Sequence, residues 1–83
     1  MKNMQIEELV AALLQTNNEK AMLKLLEGLL TPKEIDGIAR RLQIVKKLKA
    51  GVSQREIAEK LKVGIATVTR GSREIKRGKF KQI

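Results

Sequence analysis

The chain holds no cysteine, histidine, tryptophan or tyrosine, and only one phenylalanine and one proline. Each absence closes off a class of chemistry. Without Cys or His there is no zinc site of the usual kind, no thiol or imidazole catalyst and no Ser-His-Asp arrangement. A disulfide framework is excluded, which fits a reducing compartment. Long apolar runs are missing too. The longest, Leu9 to Leu14, falls far short of the roughly 20 residues a bilayer-spanning helix needs. Glu7 and Glu8 stand where a secretory signal would turn apolar, so no signal-peptide pattern opens the chain. No cluster of carboxylates offers an acid–base or metal set, so an enzyme is not expected. The expectation is a small cytoplasmic domain with no metal, no required cofactor and no membrane partner.

What is present is basic charge. Eighteen Lys and Arg against nine Asp and Glu leave a net +9 on 83 residues. The balance is uneven: residues 1–30 carry three Lys and four Glu (net −1), and residues 31–83 carry fifteen basic and five acidic groups (net +10). Charge concentrated in one part of a domain points to a polyanionic partner. The densest stretches are Arg40 to Lys49 and Arg70 to Lys81. Between them they hold one aromatic residue, Phe80, too few for the aromatic anchors of a membrane-surface helix, which favours nucleic acid. A chain this short buries only about 60% of its unfolded surface, so a partner subunit would help it.

The periodicity is helical throughout. Ile6, Leu9, Val10, Leu13 and Leu14 recur on one helix face, and Thr16-Asn17-Asn18 interrupts them and offers caps for the next helix. Met22, Leu25, Leu26 and Leu29 form a second stripe. Thr31-Pro32-Lys33-Glu34 is a capping box with proline at the first helical position. The helix it opens carries Ile35, Ile38, Ala39, Leu42, Val45 and Leu48 on one face and ends at Gly51. Ser53 and Glu56 form a second capping box, before a short helix with Ile57, Ala58 and Leu61 inside. Lys62-Val63-Gly64 makes a tight break, with Gly64 expected to supply the unusual turn conformation. Another helix then runs with Ile65, Val68, Ser72 and Ile75 on its apolar and small face, until Gly78.

Two short helices, at 54–61 and about 65–77, joined by a tight turn containing Gly, make a helix-turn-helix. Gly64, Ala66, Thr67 and Thr69 are small or polar at the start of the second helix, where an amino-terminal end can approach base edges and phosphate. Arg70, Arg73, Lys76 and Arg77 lie farther along and can neutralise backbone charge. The competing reading is a helical bundle with a solvated basic face. The charge asymmetry favours DNA, because the basic half also holds the motif.

Leu30-Thr31-Pro32, Arg41, Ile44-Val45, Ser53-Gln54-Arg55-Glu56 and above all Gly64 to Ser72 resemble the tryptophan repressor family of bacterial transcription regulators. The resemblance runs from Leu29 to Lys76, 48 of 83 residues. It implies an all-α, five-helix chain with a helix-turn-helix, forming an intertwined homodimer on a palindromic double-stranded DNA operator. Residues 1–30 would be dimerisation helices, 31–78 the DNA-binding region and 79–83 a basic tail. It also implies L-tryptophan as corepressor. Arg41 and Arg70 would stack on the two indole faces, a contact Arg suits well. Arg70 would hold the carboxylate with Thr31 of the other subunit, carbonyls of Gly28 and Leu30 would face the ammonium, and Thr67 and Gly71 would line the pocket. Ile65, Ala66 and Thr69 would reach bases, with Gln54, Arg55 and Lys76 on phosphates.

Simpler roles stand beside these. Arg41 and Arg70 could be phosphate contacts or solvated charges, Thr31 a helix cap, Ile65 core, and Gly71 a site of close helix packing. The chain also departs from the family pattern. Glu74 stands where a small hydroxyl meets the ligand ammonium, so its carboxylate would either pair with that ammonium or fill the pocket. The Gly51-Val52-Ser53 linker is one residue short, and residues 79–83 stand where a final interface helix begins. A ligand-independent family member and a sequence-blind nucleic-acid binder are therefore the alternatives. The apolar surface of the first two helices exceeds what a three-helix head could cover, which predicts burial against a second copy; a five-helix monomer is the alternative.

Overall fold

A computed structural model describes residues 3–83. It is all-helical, with α1 at Met4–Gln15, α2 at Glu19–Leu29, α3 at Pro32–Lys49, α4 at Gln54–Leu61 and α5 at Ile65–Lys76. No strand forms among the described residues. No described helix is long and apolar enough to cross a membrane.

Local side-chain chemistry sets the helix starts. The Asn3 carboxamide oxygen accepts from the Gln5 and Ile6 amides at 2.8 and 3.3 Å. Asn18 accepts from Ala21 N at 2.8 Å, so the polar break supplies the cap expected of it. At α3 the capping box closes in both directions: Glu34 N donates to Thr31 Oγ1 at 3.1 Å, and Thr31 N donates to Glu34 Oε1 at 2.8 Å. Ser53 caps α4 by accepting from Glu56 N at 3.2 Å. The return arm expected of Glu56 does not form, because its carboxylate meets Lys60 Nζ one turn on, at 3.0 Å.

The helix ends follow backbone geometry. Gly51 has φ +89°, its N–H donates to Leu48 O, and Val52 N donates to Lys47 O, a Schellman ending for α3. Gly78, at φ +81°, ends the last helical turn the same way, with Lys79 N donating to Glu74 O. Between α4 and α5 the expectation is corrected. Lys62 takes the left-handed conformation (φ 55°, ψ 48°), and Gly64 is extended at φ −68°. The turn reverses two residues earlier than the glycine, because α4 ends with Val63 N donating to Ala58 O, and that bond puts the αL residue at Lys62.

Two compact units divide the chain, one up to Ile35 and one from Asp36 to Ile83. In the first, neither α1 nor α2 buries any residue fully. Leu9, Val10, Leu14, Leu23 and Leu29 remain exposed there, Leu14 at 80%. The second unit holds the core: Ile44, Ile57 and Val68, one from each of α3, α4 and α5, with Val45 also buried. Leu48, Val52, Ala58, Leu61 and Val63 pack against the first three. The expected α3 face is thus corrected at its centre. Ile44 is buried beside Val45, whereas Ile38 and Leu42 are exposed, since a straight 3.6-residue stripe over eighteen residues does not register that α3 meets α4 and α5 only through its second half.

Candidate functional site

The site grows from the α4–α5 pair. Ile57 and Val68 are fully buried, and they fix the two helices to α3 through Ile44. Burying these branched residues is worth roughly 1.5–3 kcal/mol each, which makes the pair a rigid platform. With Val68 turned inward, the neighbouring α5 positions turn outward: Gly64, Ile65, Ala66, Thr67, Thr69 and Arg70 are all exposed. Ile65, at 52% exposure, is therefore not core.

The start of α5 is open. Its N-cap is Gly64, which makes no side-chain cap hydrogen bond, unlike the caps of α1, α2 and α4. No acidic residue lies in its first turn. The helix therefore presents unsatisfied N–H donors and the positive end of its dipole to whatever approaches. Gln54, the first residue of α4, is drawn to this surface: its Oε1 accepts from Thr69 Oγ1 at 2.8 Å. The Thr69 hydroxyl also lies 3.0 Å from Ile65 O, the alternative acceptor one turn back. The first contact leaves the Gln54 amide with its NH2 available to an acceptor. Arg55 and Lys76, the other expected phosphate contacts, are exposed on α4 and at the last residue of α5.

Cations around the head are mostly without carboxylate partners. Two ion pairs form among the described residues, Lys60–Glu56 and Arg77–Glu74, the latter at 2.9 Å. Arg41, Arg55, Arg70, Arg73 and Lys76 have none. Exposed cations in this density repel one another and gain most from a polyanion whose counterions they can release.

Beside α5 lies a cavity of about 450 Å³, lined by Arg41, Ile44, Val45, Thr67, Arg70, Gly71, Glu74, Lys79 and Phe80. Five of the expected ligand residues meet here: Arg41, Thr67, Arg70, Gly71 and Glu74. The other three, Gly28, Leu30 and Thr31, belong to the first unit and are not among the residues that line it. In that unit Leu30 N donates to Leu26 O, and Thr31 serves as the cap of α3. Gly71 is a site of close packing as well as a wall: a Cβ there would lie 3.2 Å from Ile44 Cγ2 and 3.5 Å from Leu48 Cδ1. Lys79 and Phe80, which residue order places in the basic tail, line the cavity as well. The signal for this was Gly78, whose positive φ turns the chain back, and Phe80, the single aromatic residue.

The cavity has an apolar floor in Ile44 and Val45, three cations and one carboxylate. Glu74 is only 22% exposed and is held by Arg77. Such a lining suits a small zwitterion with an apolar body.

The chain matches the family described as Trp repressor protein over residues 4–82. It is 51% identical to a Trp operon repressor homolog of Vibrio vulnificus (strain YJ016) over 53 residues, which cover 63% of this chain and 52% of the relative. It is 41% identical to the homolog of Vibrio cholerae serotype O1 over 73 residues, 87% of this chain and 68% of the relative. A Photobacterium profundum homolog is 42% identical over the same length and shares of both chains. The chain thus spans from about half to about two thirds of the length of these curated relatives.

Proposed function

The chain belongs to the Trp repressor family, and on that premise we propose that it is a sequence-specific transcription repressor that binds double-stranded DNA through α4 and α5. One observation carries this reading: an exposed, uncapped amino end of α5, small or polar at Gly64, Ala66, Thr67 and Thr69 with Ile65 exposed among them, held on a fully buried Ile57–Val68 contact. A helix presented this way enters a major groove end-first. Ile65, Ala66 and Thr69 then face base edges, with Gly64 and Thr67 close enough for the backbone to approach. Gln54, Arg55, Arg70 and Lys76 take the phosphates, fixing register and supplying salt-sensitive affinity.

The repressor acts as a homodimer on a palindromic operator. Support comes from the exposed Leu9, Val10, Leu14, Leu23 and Leu29, more apolar surface than α1 and α2 cover by themselves. Residues 1–30 form the intertwining arm and residues 31–78 the reading head. Helix-turn-helix dimers, the tryptophan repressor among them, place two such heads about one helical turn of DNA apart. L-Tryptophan is the corepressor. It lies in the cavity beside α5 with Arg41 and Arg70 against the indole, Arg70 also on the carboxylate, and Thr67, Gly71 and Glu74 around it. The ligand biases the head toward the orientation that fits both half-sites.

Glu74 favours a second reading, a repressor that works without ligand, because its carboxylate already occupies one side of the cavity. Fluorescence anisotropy decides between them. A labelled palindromic trp-operator duplex and a scrambled duplex are titrated with protein at fixed salt, with and without 1 mM L-tryptophan. The expected result is a preference of ~1,000-fold or more for the operator, strengthened ~5-fold or more by tryptophan. Equal affinity for both duplexes refutes sequence-specific repression through this operator. A preference that tryptophan does not change establishes the ligand-independent form.

A further inference from the structure

We propose that Phe80 is a ligand-contact residue, the aromatic wall that closes the cavity beside α5 around a planar aromatic amino acid. The proposal rests on the corepressor reading and adds to it a residue outside the helix-turn-helix. Three features of the chain after α5 point to it. Gly78, at φ +81°, reverses the backbone, with Gly78 N donating to Ile75 O at 3.0 Å and Lys79 N donating to Glu74 O at 3.1 Å. The returning segment is then tied down from α3, where Lys49 Nζ donates to Phe80 O. Ile83 N donates to the same carbonyl at 3.2 Å.

These bonds set Phe80 half-buried in the cavity lining, with Arg41 and Arg70 among its other walls. Phe80 narrows the cavity without filling it, since about 450 Å³ stays open. An apolar ring there adds hydrophobic contact for a flat ligand from a segment outside the helices. A basic tail alone would not need it, and the only aromatic side chain of an otherwise aliphatic protein stands there. Lys79, brought in by the same turn, adds a third cation beside Arg41 and Arg70, suited to a carboxylate.

The test is calorimetric titration of L-tryptophan into the full chain and into Phe80→Ala, Phe80→Leu and Lys49→Met. Losing the ring's apolar contact with the ligand is expected to weaken binding about tenfold in Phe80→Ala, equivalent to ~1.4 kcal/mol. Phe80→Leu recovers part of that loss. Lys49→Met, altering an exposed residue and leaving the ring in place, gives a smaller loss by releasing the Phe80 carbonyl. Far-ultraviolet circular dichroism of each variant keeps a folding defect distinct from a binding one. Tight binding by the full chain and equal binding by a folded Phe80→Ala overturns the wall alone. A flat titration of the full chain up to millimolar tryptophan overturns the corepressor reading and the wall with it.

Discussion

Replacing Gly71 by alanine sets two opposed effects against each other, and the structure decides which prevails. Gly71 lies inside α5, where glycine is less favourable than alanine by about 1 kcal/mol. An uncrowded site would return that amount as stability. Here the new Cβ would sit 3.2 Å from Ile44 Cγ2, when carbon atoms prefer roughly 3.5–4.0 Å. Ile44 is 1% exposed and packs in one cluster with Ile57 and Val68, so moving it to make room disturbs that packing. Leu48 Cδ1, at 3.5 Å, is already in van der Waals contact with the same position. Inserting a methyl group into such a contact costs about 1–3 kcal/mol. The net expectation is a destabilisation of up to about 2 kcal/mol, the cost less the helix gain. Urea unfolding followed at 222 nm, at one fixed protein concentration, measures it through the midpoint at unchanged slope. A double-mutant cycle with Ile44→Ala sharpens the test, since removing Cγ2 removes the crowding. The two changes together should cost less than their sum by about 0.5–3 kcal/mol. Stabilisation of Gly71→Ala by the full ~1 kcal/mol would refute the close approach of α5 to α3.

Lys62→Gly relieves the single non-glycine left-handed residue among the described positions. Melting at fixed concentration should show a gain of up to about 1 kcal/mol, the relief of αL strain reduced by the greater freedom of the unfolded chain. A loss of stability would contradict the turn geometry. Lys76→Ala removes one proposed phosphate contact, so affinity should fall on operator and scrambled duplex alike. The slope of log affinity against log salt should shrink by about one. An unchanged slope would remove Lys76 from the interface.

Much of this architecture could be read from residue order because its signals are local. Thr31 with Glu34, Ser53 ahead of α4 and Gly51 after α3 act on neighbours three to five residues away, and the structure uses each as a cap or stop. Where a residue's partner lies farther off, local pattern misleads. Gly64 looked like the residue that reverses the chain, but the α4 end places that conformation on Lys62, and Gly64 instead leaves α5 uncapped. Glu56 had two partners within one turn and takes Lys60 over the Ser53 amide. The α3 stripe omitted Ile44 because periodicity reports one face, not which half of a long helix is packed. Arg41, Thr67, Arg70, Gly71 and Glu74 were legible through family resemblance and do line one cavity. Phe80 was not, because it reaches that cavity through a turn and a bond to Lys49, thirty-one positions away in sequence.

The central claim is that the amino end of α5 reads bases. Thr69→Ala tests it most directly, because Thr69 is exposed and the change leaves the charge untouched. It also removes the hydroxyl that holds Gln54 Oε1 at 2.8 Å. Equilibrium anisotropy on an operator duplex and on a random duplex of equal length, in the same salt and tryptophan, gives two affinities for each protein. The account predicts a loss of about tenfold or more on the operator, in the ~1–3 kcal/mol range of a base contact, with random-duplex affinity nearly unchanged. Equal losses on the two duplexes would contradict it.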